Sequence, residues 1–265
     1  MTNSVLYEER GNICLITLNR GDTRNSLGPE IIEDLVKILE DADNNQNISC
    51  AILTGSGKSF SSGGNLQEIN NMTEDNKMSL RDIENWYRNG IQKIPTTFNK
   101  IDIPVIAAVN GHAIGAGNDL CTMCDIRIAS EDAKFSESFL RIGIIPGDGG
   151  SWFLPKVIGL SRATEMILTC DVLDAKKALD WGLVSQVVPR EKLIDTAFQL
   201  ANKIVQNPPQ SIRRAKRLLR LTQNTNLSTA LEMAASQQTL LQMTSDHKEA
   251  IQALIQKRKP NYNNS

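Results

Sequence analysis

Glycine-rich turns, rather than clusters of histidine or cysteine, are where this sequence could do chemistry. The longest is Ala108-Val109-Asn110-Gly111-His112-Ala113-Ile114-Gly115-Ala116-Gly117-Asn118-Asp119-Leu120. Small residues here mark a strand-to-helix junction. The first amides of a helix have no internal acceptor and sit at the positive end of its dipole, so such a junction can hold an anionic oxygen. Close packing of helix on sheet would demand small residues as well. Phe60-Ser61-Ser62-Gly63-Gly64-Asn65-Leu66 lacks bulk in the same way, which lets a ligand approach the main chain but also suits a flexible loop. In Ile142–Gly150, turn chemistry accounts for the glycines and the proline, and Asp148 is a natural cap for a following helix.

Two other motifs point to common chemistries and fail. Gly55-Ser56-Gly57-Lys58-Ser59 resembles the end of a phosphate-binding loop, but that loop needs glycine five residues before Gly57, where Ile52 stands. A turn after a strand fits better. Cys121-x-x-Cys124 would need two further zinc ligands, and the only histidines are His112 and His247. Buried thiols are the expected reading.

Elements must position these turns. Val5–Tyr7 and Ile13–Leu18 read as strands around Arg10-Gly11-Asn12. Ile31, Ile32, Leu35, Ile38 and Leu39 recur at helical spacing after Pro29. Cys50–Thr54 and Pro104–Val109 are short apolar runs suited to buried strands. A helix is expected from near Gly115 to about Cys124, then a strand over Asp125–Ala129. Residues 66–98 are polar and mixed, partly helical and mobile by expectation. The alternation from residue 48 to about 190 favours parallel sheets covered by helices. Beyond Pro189 the pattern is helical, with Pro208-Pro209 opening one helix and Ser228 and Asp246 as candidate N-caps, Asp246 pairing with Glu249 in a capping box. The expected division is an α/β core over 1–195 and a helical region over 196–265.

Hydrophobic residues make up 40% and charged residues 22%, an ordinary globular composition. The net charge of -1 supplies no general field for nucleic acid or acidic membranes. No apolar run reaches the length of a membrane helix, and MTNSVLYEERGN lacks the pattern of a secretory signal. Five cysteines is an odd count for a disulfide framework, so reduced thiols in the cytoplasm are expected.

Taken together, the motifs resemble the crotonase (enoyl-CoA hydratase/isomerase) family. The resemblance rests on Leu18-Asn19-Arg20, Arg24-Asn25-Ser26-Leu27, Phe60–Leu66, Ala108–Leu120 with Met123-Cys124-Asp125, Ile142–Gly150, Leu154-Pro155, Ala178-x-x-Trp181-Gly182-Leu183-Val184 and Lys257-Arg258-Lys259-Pro260, in the family's order over residues 5–262. It implies a spiral of repeated strand-strand-helix turns with a C-terminal helical trimerisation region, in a homotrimer or a hexamer built from two trimers. It also implies an acyl-CoA thioester substrate, with no metal and no cofactor beyond the coenzyme A carried by the substrate. The amides of Gly64 and Ala116 would stabilise a thioester enolate. Arg24, Ser26, Ser62, Asn65 and Leu66, with Lys257 often reaching across a subunit interface, would hold coenzyme A. Family hydratases place a glutamate on each side of the reacting bond. Asp119 stands at the first position, one methylene shorter, and stays a candidate proton carrier. Phe139 at the second cannot transfer a proton, so Glu137 and Asp148 become candidate substitutes there, Asp148 ahead of Glu137. Hydration of a 2-enoyl-CoA in fatty-acid or related breakdown is the implied reaction. Double-bond isomerisation and acyl-CoA binding without turnover are the alternatives.

Overall fold

The computed structural model describes residues 3–73 and 78–263. Val5–Arg10 (β1) and Ile13–Leu18 (β2) form an antiparallel hairpin turned at Gly11, whose φ of 62° is left-handed. The helix Pro29–Asn44 (α1) starts on its proline and buries Ile31, Ile32, Leu35 and Leu39 on one stripe. It leads to Cys50–Gly55 (β3), parallel to β2 and buried along its whole length. That two-sided burial is why β3 reads as a continuous apolar run.

From β3 the chain repeats one plan, in which a strand of the main sheet is followed by a strand of a second sheet and then by helix. The first turn is β3, Ser59–Ser61 (β4), Leu66–Thr73 (α2), Leu80–Asn89 (α3) and Lys93–Phe98 (α4). Part of the segment 66–98 thus lies in three helices, and residues 74–77 fall outside the described residues. The second turn is Val105–Val109 (β5), His112–Ile114 (β6) and Ala116–Met123 (α5). The third is Ile126–Ser130 (β7), Lys134–Ser136 (β8), a 3₁₀ turn at Phe139–Ile142, and Gly150–Ile158 (α6). Leu160–Thr169 (α7), Leu173–Asp174 (β9), Ala175–Trp181 (α8), Gln186–Val188 (β10) and Leu193–Ile204 (α9) close the spiral. The main sheet runs β1-β2-β3-β5-β7-β10 and the second runs β4-β6-β8-β9. Among the described residues only the β1–β2 and β8–β9 pairs are antiparallel. This is the spiral α/β fold that the sequence implied.

The main sheet is packed on both faces. Ala51 and Leu53 of β3 join a core with α1, α4 and α5, while Cys50 and Ile52 face Leu193, Ala197 and Ala201 of α9. The expected division at 195 therefore falls inside a helix that covers the sheet. Each of the leucine and isoleucine side chains among these residues adds about 1.5–3 kcal/mol when fully buried. Pro209–Thr222 (α10), Leu227–Gln242 (α11) and Ser245–Gln256 (α12) follow.

The helix starts of α11 and α12 differ from expectation by two residues. Asn226 accepts from Thr229 N and Thr244 from His247 N. Ser228 and Asp246 lie inside the first turns, because an equally good cap precedes each. Asp246 instead accepts from Asn263 N, while the capping box occurs at Ser79 and Asp82. Among the described residues no helix is long and apolar enough to cross a membrane.

Candidate active site

Parallel pairing of β4 with β6 lays their C-terminal ends side by side. The chain leaves β4 through Ser62-Gly63-Gly64 and leaves β6 through Gly115 into α5. Gly63 has φ 83°, and a Cβ there would lie 2.4 Å from the Ile114 carbonyl oxygen and 3.1 Å from Ala116 N. Gly115 has φ 53° and donates to Ser136 O of β8 (2.7 Å). A Cβ on Gly117 would sit 2.3 Å from Ser61 O. These three glycines let the start of α5 press against the end of β4. Among the described residues neither Gly64 N nor Ala116 N donates to another main-chain group. Both residues border one cavity of about 350 Å³. An anionic oxygen placed there meets two free N–H donors at the positive end of a helix.

Asp148 also borders this cavity, as do Phe139, Trp86 and Tyr87. The two aromatic rings of α3 meet edge to face at 5.1 Å. Asp148 is 5% exposed, held just before α6 by Gly149, whose φ is 118°. Burial pushes its carboxyl above the usual range. The other two sequence-named carboxyls lie deeper. Asp119, in the first turn of α5, and Glu137, just after β8, are both fully buried and do not border the cavity. Their packing is tight: a Cβ on Gly150 would lie 2.0 Å from Asp119 Oδ1. Asn118, which the sequence reading did not single out, donates from Nδ2 to Glu137 Oε1 at 2.5 Å. Burial pushes Glu137 up to about 7. Asp119 is raised well above the usual range by burial and then by the charges of Glu137 and Asp148.

The segments proposed to hold coenzyme A divide similarly. Ser62, Asn65 and Leu66 border the cavity. Ser26 and Asn65 border an adjoining cleft of about 320 Å³, with Arg20 and Thr23. Arg24 borders neither; its left-handed φ of 57° and its carbonyl, which accepts from Ser62 N (2.9 Å), tie the two segments together. Asn25 behind it is fully buried and donates to the carbonyls of Ser56 and Ser59. Lys257 caps α12 with φ 53° on the exposed surface, away from the cavity of its own chain.

A family model described as enoyl-CoA hydratase/isomerase matches residues 8–265. The chain belongs to the enoyl-CoA hydratase/isomerase family. It is 35% identical to the 2,3-dehydroadipyl-CoA hydratase of Escherichia coli, with 98% of each chain covered. It is 34% identical to the 1,2-epoxyphenylacetyl-CoA isomerase of the same organism, over 99% of each. The crystal structure of an enoyl-CoA hydratase from Bacillus anthracis superposes with a TM-score of 0.89 at 34% identity, covering 99% of this chain and 100% of that one. Within this crotonase fold the aromatic pair Trp86–Tyr87 was not signalled by sequence, because α3 has no buried residue and its strong polar face hides the side turned to the cavity.

Proposed function

We propose that the protein is an acyl-CoA enzyme working through a thioester enolate, with addition of water to a 2-enoyl-CoA as its reaction. One observation carries this reading: two main-chain amides left unpaired among the described residues and the buried carboxyl of Asp148 border the same cavity, whose other carboxyl, Glu68, accepts from Asn65 Nδ2 (3.0 Å). The thioester oxygen accepts from Gly64 N and Ala116 N. The Asp148 carboxylate takes a proton from water as the water oxygen bonds to the β-carbon, and charge moves onto the thioester oxygen. Asp148 then returns the proton to the α-carbon, restoring the carbonyl. A raised carboxyl suits both halves of that exchange. Proton shifts beside a thioester need neither a metal nor a redox group.

Ser26, Ser62, Asn65 and Leu66 hold the coenzyme A portion along the cleft, with Arg24 setting their backbone. Lys257 reaches coenzyme A from a neighbouring copy in a homotrimer or hexamer. The five cysteines are all free and buried, which fits a reducing, cytoplasmic setting.

A second reading, migration of a double bond, is favoured by Phe139. Its ring borders the cavity where family hydratases place a second glutamate. The same Asp148 shuttle would then lift a proton from one carbon and return it to another.

Incubating crotonyl-CoA and longer enoyl-CoAs with the protein in heavy water separates these outcomes. Loss of conjugated enoyl absorbance with deuterium at the α-carbon marks hydration, and a shifted double bond marks isomerisation. Asp148→Asn lowers turnover by roughly 10²–10⁴-fold. Binding without exchange or conversion for any chain length would leave a non-catalytic acyl-CoA protein and end the proposal.

A further inference from the structure

The Asp119 side chain lies beside those of Asp148 and Glu137, within reach of a carboxyl–carboxyl hydrogen bond to each once a proton is present. Both of its oxygens, Glu137 Oε2 and Asp148 Oδ1 are buried with no N–H or hydroxyl donor. Carboxylates bring only acceptors, so three of them cannot meet in this way unless protons lie between them. Asp119 is the middle member and receives no other donor, which makes it the site where a proton is required. Glu137 at the far end is the member equipped to hold charge, because Asn118 Nδ2 donates to it. Asp148 at the near end alone borders the cavity.

We infer that Asp119 is a positioning residue: a neutral acid whose single O–H turns between Asp148 and Glu137 as Asp148 gives up and regains its proton. This deepens the shuttle proposed above and rests on it. When Asp148 is a carboxylate, the Asp119 O–H donates to it. When Asp148 carries the proton taken from water or substrate, its own O–H donates to Asp119, and Asp119 turns its O–H to the Glu137 carboxylate. No proton is gained or lost by Asp119; only the hydrogen bond changes partner. The negative charge is solvated in either state by a neighbour that is already in place.

Among the described residues, other titratable groups face this cluster or its cavity, and Glu68 of α2, on the cavity wall, accepts from Asn65 Nδ2 (3.0 Å). Tyr87 on α3 is raised by burial and by the Asp148 charge. Cys121 on α5 is pushed up to about 12, chiefly by burial, with Arg127 opposing and Glu137 adding to the rise. Arg141, a cation that borders the same cavity, turns Nη2 to the Cys170 carbonyl (2.7 Å). The hydrogen-bond switch is therefore the device available for moving charge between the ends of the cluster.

Infrared spectroscopy of the ligand-free protein tests this without reference to turnover. The carbonyl stretch of a buried carboxylic acid should be present at about pH 9, where Glu137 has lost its own proton, persist there in Asp148→Asn and disappear in Asp119→Asn. Its absence from the wild-type protein, or its survival in Asp119→Asn, overturns the inference even if enoyl-CoA is hydrated as proposed. In kinetics, the amide of Asp119→Asn donates permanently to the Asp148 carboxylate. The acidic limb of the kcat profile should then move to lower pH, with kcat falling roughly tenfold and KM for crotonyl-CoA changing by less than about threefold. An unmoved limb with unchanged kcat would reduce Asp119 to packing. If no acyl-CoA is turned over at all, the functional reading fails while the infrared result still decides the inference.

Discussion

Glu137 is a buried carboxyl raised from 4.5 to about 7 by desolvation, so its folded form holds a proton that its unfolded form has already lost over that interval. Stability from this group is full below about pH 4.5, where both forms are protonated, and is lost as pH rises through about 7. Such a shift corresponds to about 3 kcal/mol. Glu137→Gln keeps the Oε1 acceptor for Asn118 and removes the titration. Urea unfolding of this variant should weaken less than the wild type between about pH 5 and about pH 8, by a large part of that amount. Parallel curves for the two proteins would show that the charge of Glu137 is compensated elsewhere. Sequence could name Asp119, Glu137 and Asp148 as the acidic residues near the site, but not their depth. Gly64 and Ala116 could be named only through the family resemblance, whereas Gly63 and Gly117 are the glycines required where β4 and α5 touch. Whether a carboxyl faces the cavity depends on how the 3₁₀ turn at Phe139–Ile142 and the start of α6 fold over α5, and that contact has no local signature.

At the scale of elements, α10 is attached to the core by charge rather than by apolar burial. Arg213, Lys216, Arg217 and Arg220 share one stripe of the helix. Arg213 donates to Asp43 Oδ1 (2.9 Å) and to the carbonyls of Asp43 (2.8 Å) and Ile48 (2.9 Å). Lys216 pairs with Asp125 (2.8 Å) and donates to Ile103 O (2.7 Å). Arg217 and Arg220 both bind the buried Asp102. In the sequence this stripe looks like a solvated face, because its partners lie at the end of α1 and in loops, all more than eighty residues away. The loops are fixed only when β3, β5 and β7 pair. Arg213→Met removes one partner of a nearly buried pair and leaves the Asp43 carboxylate and the carbonyls of Asp43, Asn45 and Ile48 without it. It should destabilise the protein by about 3 kcal/mol in chemical denaturation. A loss below about 0.5 kcal/mol would mean that α10 is held mainly by other contacts. The helical starts of the same region show the opposite limit of legibility: the right element, two residues out, because Asn226 and Thr244 cap as well as Ser228 and Asp246 would.

Over the whole molecule the alternation of strand and helix was readable, the spiral came only from the family resemblance, and the second sheet was not readable. Runs such as Cys50–Gly55 are long enough to show buried strands, whereas β4, β6 and β8 have three residues each, too few for any period to register. Yet it is the ends of β4 and β6 that carry the two amides. The C-terminal helices raise a further question of scale. α11 buries none of its residues within the chain, and Leu227, Leu231, Leu240, Met243, Leu254 and Ile255 are each more than half exposed. Apolar surface on this scale marks an interface. Lys257, at the end of α12, stands in the same region and away from its own cavity, as a residue serving a neighbouring copy would. Light scattering during gel filtration should give the mass of three or six chains. Leu231→Glu, which puts a charge on the exposed face of α11, should shift that mass towards a single chain. The same variant should raise KM for crotonyl-CoA more than it lowers kcat, since Gly64, Ala116 and Asp148 all come from the intact core while coenzyme A would lose its contact from the partner. A monomeric wild-type protein would disprove the shared site, and an oligomeric Leu231→Glu variant with unaltered KM would move the interface off α11.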